Sequence, residues 1–249
     1  MAPIYVMAII TFLAAGGLWL GLGALMAGRH RKWAWVVLLA LPFSPLINQV
    51  VKRPIMLAVN ESLDLQPGQS PPLIYWVLAL LLAPITEEAI KLAPVLFPPL
   101  ARWVKEKGTA LWLGLFLGIG FGLSEVGYLA WSIAQAPQYS QYPWYYFTGF
   151  AQERLMVVAI HGVMTAVAVL GIARGWWRGW LGYLSAIGLH CLVNLGALLA
   201  QAKVIPVVLA SLWTMGVFAG LLLLLAPLYK ANRALDQPSE TILFQRSAP

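Results

Sequence analysis

Seven polar side chains suited to proton transfer or metal binding lie inside apolar stretches of this sequence. Glu87, Glu88 and Lys91 share one stretch, Glu125 stands in a second, His161 in a third, and His190 with Asn194 in a fourth. An ionised group at a bilayer centre costs about 2.5–3.5 kcal/mol, so such groups are functional candidates by default. Glu87 and Lys91 are spaced i, i+4 and Glu88 and Lys91 i, i+3, so the lysine reaches either carboxylate but can fully pair only one. With neutral histidines, three glutamates stand against one lysine, an imbalance of −2 that a low-dielectric interior does not hold uncompensated. A divalent cation, proton uptake or help from Arg154 would remedy it. Carboxylates and imidazoles from separate helices suit a zinc ion with an open position for water, leaving another glutamate as general base.

The elements that must position these groups are membrane spans. Of 249 residues, 61% are hydrophobic and only 10% charged, with a mean hydropathy of +0.78, which excludes a soluble globule. Apolar runs of bilayer length recur along the chain. They predict an all-α, polytopic transmembrane bundle of about seven helices, near 3–27, 33–51, 72–98, 109–136, 150–172, 179–201 and 204–229. Residues 1–229 then form one membrane domain, with the active-site helices at about 72–201, and 230–249 form a polar, disordered cytoplasmic tail. The single cysteine, Cys191, excludes an internal disulfide and reads as a small buried apolar residue.

The net charge of +7 would suggest nucleic acid in a soluble protein. Here the basic residues sit in short loops, where they report topology, so no nucleic-acid partner is expected. Arg29, Arg31, Lys32, Arg102, Lys105, Lys107, Arg174, Arg178, Lys230, Arg233 and Arg246 fall on one side, and only Lys52, Arg53 and Lys203 on the other. This asymmetry predicts an N-out, C-in orientation. The uncharged aromatic loop from Tyr139 to Phe147 is expected to lie along the interface, as an anchor or as the border of an entrance.

The centres of the four polar spans fall near residues 85, 122, 161 and 190, placing each polar group within roughly 5 Å of the midplane at 1.5 Å rise per residue. Gly114, Gly118 and Gly122 form an i, i+4, i+8 row of close helix contact, and Glu125 shares that face. Gly182, Ala186, His190 and Asn194 form a similar inward row. Pro84 and Pro94 bracket the Glu-Glu pair and are candidates to kink the span. Arg154 is seven residues before His161 and shares its face. Glu153 and Arg154, as adjacent residues, are expected to point apart and pair with other helices.

At Thr86-Glu87-Glu88-Ala89-Ile90-Lys91 the chain resembles the PrsW family of intramembrane proteases, whose first motif is Glu-Glu-x-x-Lys. Phe121-Gly-Leu-Ser-Glu125 resembles the family's Phe-x-x-x-Glu element, and the helices bearing His161 and His190-Cys-Leu-Val-Asn194 follow in the family's order. The related CAAX prenyl endopeptidases carry Glu-Glu-x-x-x-Arg and a histidine in the second motif, where this chain has Leu92 and Glu125. The resemblance covers about half the chain. It implies peptide-bond hydrolysis within or beside a cell membrane, with site-1-like cleavage of membrane proteins such as anti-sigma factors.

The resulting expectation is a multi-pass protease acting on membrane-protein or peptide substrates in the lipid bilayer. Glu87 or Glu88 would activate water, while Glu125, His161 and His190, with Glu88 as a further candidate, would bind a divalent metal such as zinc. Without a metal, the same groups would position the water and stabilise the oxyanion. Lys91 would keep one glutamate ionised, Asn194 would donate to the oxyanion, and Arg154 would support the site from behind. The alternative is a proton- or cation-coupled transporter, since midplane carboxylate and histidine clusters also form ion relays.

Overall fold

The structure is a computed structural model that describes residues 1–65, 69–106 and 108–235; its described elements are helices and turns, without strands. Lys107, Arg246 and residues 236–249 of the expected tail lie outside the described residues. Six helical stretches are long and apolar enough to cross a membrane, so the chain is a multi-pass helical bundle. The first, Pro3–Ser62, has 60 residues, about 90 Å if straight, far more than a bilayer of about 30 Å requires. It turns at Gly28, whose φ of 52° is a left-handed conformation that side chains resist. Both arms pack on the helix Ala110–Ala134, and Phe12 of the first borders the same space as Leu41 and Pro45 of the second. That one stretch therefore contains the first two of the seven expected spans.

Helix α1 (Pro3–Ala27) matches its expected limits. The second arm does not form the simple helix predicted near 33–51. A 3-10 segment, Gly28–Val36, leads into α2 (Val37–Ala40), α3 (Phe43–Ile47), a π-helical turn at Asn48–Lys52 and α4 (Arg53–Ser62). Pro42 and Pro45 explain the irregularity, since each removes an intrahelical donor that hydropathy does not register. The carbonyl of Leu41, which a residue other than proline at 45 would have satisfied, instead accepts from Ser124 Oγ on another helix. Lys52 and Arg53, expected in an outer loop, are both helical.

The remaining spans are α5 (Leu73–Leu96), α7 (Ala110–Ala134), α8 (Thr148–Ala173), α9 (Trp176–Gln201) and α10 (Val207–Ala234), with the short α6 (Pro98–Val104) between the first two. Helix α5 runs unbroken through Pro84. Proline leaves the Leu80 carbonyl without its intrahelical donor, and Cys191 Sγ on α9 approaches it at 3.8 Å. Cys191 is thus half-buried with a polar contact, not the buried apolar residue expected. Helix α10 continues into the predicted tail because Asn232, buried, accepts from Leu111 N and donates to the Gly108 carbonyl, capping α7.

Helices α7 and α8 are buried along most of their length and form the centre. The glycine row predicts this contact correctly. A Cβ at Gly118 would overlap the His161 carbonyl, one at Gly114 would lie 2.6 Å from Ala166 Cα, and one at Gly122 would lie 2.7 Å from Val158 Cα. Backbone cannot yield as a side chain can, so Gly118→Ala is expected to destabilise the bundle by at least about 1–3 kcal/mol. It should also shift His161 and lower activity. A thermal melt in detergent that matches the wild type would contradict this packing.

Candidate active site

Five elements converge on one buried cluster. The π-helical turn brings Lys52, α5 brings Glu87, Glu88 and Lys91, α7 brings Phe121 and Glu125, α8 brings Arg154 and His161, and α9 brings His190 and Asn194. Glu87, Glu88, Lys91, His161 and His190 are each less than 5% exposed. A π-turn re-aims the side chains that follow it and occurs often at functional sites.

Each carboxylate has its own cation at 2.6 Å: Glu87 Oε1 accepts from Lys52 Nζ, Glu88 Oε1 from Lys91 Nζ, and Glu125 Oε2 from Arg154 Nη1. Three negative charges thus meet three positive ones. The −2 imbalance is corrected by side chains: Arg154, one of the anticipated remedies, and Lys52, expected in an outer loop. Arg154 also donates from Nη2 to Glu153 Oε1 at 2.9 Å. The expectation that this adjacent pair points apart fails, because a guanidinium on a long stem reaches back along its own helix.

The hydrogen bonds assign the tautomers. Lys91 Nζ lies 2.8 Å from His161 Nδ1, and an ammonium can only donate. Nδ1 therefore accepts, the ring proton sits on Nε2, and Nε2 donates to Glu125 Oε2 at 3.2 Å. His190 Nδ1 lies 2.7 Å from Glu88 Oε1, a carboxylate that accepts, so Nδ1 carries a proton, and in the neutral ring Nε2 has the lone pair. That Nε2 stands 3.8 Å from Glu87 Oε2. Phe121 packs against the cluster, with the Lys91 ammonium 4.7 Å from its ring centroid and His161 edge-on at 5.1 Å.

A cavity of about 120 Å³ opens on this cluster, lined by Lys52, Glu87, Glu125, His161, His190 and Asn194 among others. Glu88 is not part of its lining. Glu87 Oε2 is buried without a hydrogen-bond partner among the described residues, as is Glu88 Oε2. The cavity wall also includes Arg154, and thus holds all the residues predicted for the site except Glu88 and Lys91, which brace it from behind. The aromatic loop supplies none of the wall; its Trp144–Phe147 turn packs on α1 and α8.

The PrsW family model, described as intramembrane metalloproteases, matches residues 31–225, more than three quarters of the chain. The chain belongs to the PrsW family. No curated protein and no solved structure gives a match. As a PrsW protein the chain is a peptidase, and the family's description implies a metal. Glu87, His161 and His190 each offer a ligand atom, all within 4.8 Å of one another, and the orphaned Glu87 oxygen gives the group a donor with nothing else to bind. These residues fit a metal. The sequence expectation placed Glu125 with the two histidines, whereas the converging atoms include Glu87; Glu125 lies under Arg154 and is the more exposed of the two carboxylates.

Lys52 is the residue at this cluster that spacing and hydropathy do not reveal. It holds Glu87 Oε1, while Oε2 has no hydrogen-bond partner among the described residues. Lys52→Met is expected to lower kcat by about 10–100-fold, the equivalent of the roughly 1.5–3 kcal/mol carried by a charged hydrogen bond. Lys52→Arg should restore most of it. An unchanged kcat in the methionine variant would show that Glu87 needs no such support.

Proposed function

We propose that this PrsW protein hydrolyses peptide bonds of membrane-protein or peptide substrates at the buried cluster, with Glu87 as the carboxylate on which water activation depends. The supporting observation is that Glu87 alone among the three paired glutamates combines a place in the cavity wall with a buried oxygen that nothing bonds. Lys52 engages Oε1, which leaves Oε2 to take the proton of an attacking water held by it and His190 Nε2. His190 is held in one tautomer by Glu88, and Lys91 locks Glu88. Asn194, in the cavity wall, is the candidate donor for the oxyanion that develops on the scissile carbonyl, with the His161 Nε2–H, shared with Glu125, as a second. Glu125, held by Arg154, keeps that His161 proton in place.

In a metal-bound form these roles would be replaced: Glu87, His161 and His190 would hold the metal, and a carboxylate with two imidazoles suits zinc. When bound it would acidify a water and polarise the carbonyl. His190 Nε2 is free for this role, with a carboxylate on its other nitrogen as metal-binding histidines commonly have. His161 would have to release Lys91 or Glu125 first. Purified protein loaded with zinc is expected to retain about one ion per chain, and His190→Ala to retain almost none, by elemental analysis. Equal retention in the two would remove His190 from the metal site.

We place the protein in a cell membrane, N-terminus out and C-terminus in, with residues 1–229 as one membrane domain. Its family and motif order favour site-1-type cleavage of anti-sigma-factor-like proteins and a kinship with CAAX prenyl endopeptidases. The direct test is mass spectrometry of new peptide termini in membranes of cells expressing the wild type or Glu87→Gln. Termini present only with the wild type support the assignment. Their absence, together with ion flux in proteoliposomes, would favour a transporter.

A further inference from the structure

The active-site cavity, about 120 Å³, is too small for a helical substrate, since one helical turn about 10 Å wide and 5.4 Å long occupies roughly 400 Å³. A second space of about 350 Å³ adjoins it and shares Glu153, Ala197 and Thr214 with its wall. This groove is built from the first turns of α8, at Gly149 and Gln152, the last turns of α9, at Ala197 and Ala200, and the first turns of α10, at Ala210 and Ser211. All six residues lie at one end of the bundle. Gly149, Gln152, Ala197 and Ser211 are exposed, so the groove is open to the outside of the bundle at that end.

From this continuity we infer that the groove between α8, α9 and α10 is the substrate-binding channel, and that it takes an unwound, extended segment with small side chains facing α9 and α10. The inference rests on the peptidase reading of the inner cavity. An extended segment carries backbone N–H and C=O groups that lipid cannot satisfy. The groove answers them with the Gln152 amide and with the hydroxyls of Ser211 and Thr214. Each hydroxyl donates within its own helix, to Val207 O and Ala210 O at 3.1 Å, and keeps lone pairs for substrate N–H groups. An acyl chain would need none of these. Glu153 and Thr214 mark the point where the segment passes from the groove to Glu87.

The probe is a synthetic single-span peptide of roughly 20 Leu and Ala residues with a central Gly-Ala-Ser-Gly break, carrying a fluorophore and a quencher, in proteoliposomes. Ala200→Trp and Ser211→Trp fill the groove without touching the inner cluster. Each is expected to lower cleavage at least tenfold with unchanged melting temperature and zinc retention, whereas Leu184→Trp, on the exposed face of α9, leaves it unchanged. In a Glu87→Gln background, a photocrosslinker at position 211 should capture the peptide and one at 184 should not. Wild-type cleavage in both groove variants, or capture of lipid alone at 211, overturns the channel. If the wild type leaves the peptide intact while position 211 still captures it, the hydrolytic reading fails and the groove stands.

Discussion

Glu87→Gln is expected to reduce cleavage by about 10²–10⁴-fold, the usual contribution of a positioned general base, while the protein still folds and inserts. Glutamine keeps the size of the side chain and can still accept from Lys52 through its amide oxygen, so the geometry of α5 is preserved. What disappears is the unpartnered basic oxygen. The stability cost stays small because Lys52 is 20% exposed and can rehydrate when its partner becomes neutral. Glu125→Gln should cost less activity, since it leaves the orphaned Glu87 oxygen and His190 Nε2 untouched and weakens only the support of His161. Cleavage rates of the two variants, measured beside their melting temperatures, separate the roles. If Glu87→Gln retains more than a tenth of wild-type activity, or if Glu125→Gln is the more damaging, water activation belongs to another group.

That contrast shows where sequence reading reaches its limit. The depth of the cluster was legible, because hydropathy places Glu87, Glu88, Glu125, His161 and His190 at the centres of their spans and the structure brings all of them together. The inward face of α7 was legible as well, since only backbone contact with α8 accounts for glycine at 114, 118 and 122. Which of two adjacent glutamates faces the cavity was not. Neighbouring residues on a helix point about 100° apart, and the choice depends on where α9 and the 48–52 turn stand relative to α5. Lys52 escaped for a related reason. A lysine after an apolar run reads as a loop residue, and nothing in spacing alone reveals that Pro42, Pro45 and a π-turn redirect that run so that the ammonium meets Glu87. The grouping of candidate ligand atoms shows the same limit, because Glu87 and Glu125 have similar depth and only three-dimensional distance brings Glu87 within 4.8 Å of both histidine ligand atoms.

Lys91→Met should be the most destabilising single change in the cluster, at about 3–5 kcal/mol for removing one partner of a buried ion pair. Lys91 is fully buried, and its ammonium has three engagements: Glu88 Oε1, His161 Nδ1 and the face of Phe121. Removing it leaves Glu88 as a buried carboxylate with only His190 for support, and leaves His161 without the donor that fixes its tautomer. Activity should therefore fall together with stability, in contrast to Glu87→Gln. The double variant Lys91→Met/Glu88→Gln distinguishes a lost charge partner from a lost shape. The glutamine carbonyl can still accept from His190 Nδ1, no buried charge is left unpaired, and replacing a whole buried pair by neutral groups of similar volume is often close to neutral. The double variant is expected to recover most of the melting temperature without recovering full activity, because the His161 proton is no longer confined to Nε2. Losses that simply add in the double variant would mean that Lys91 and Glu88 act independently. The buried pair would then not be what holds α5 against α8 and α9.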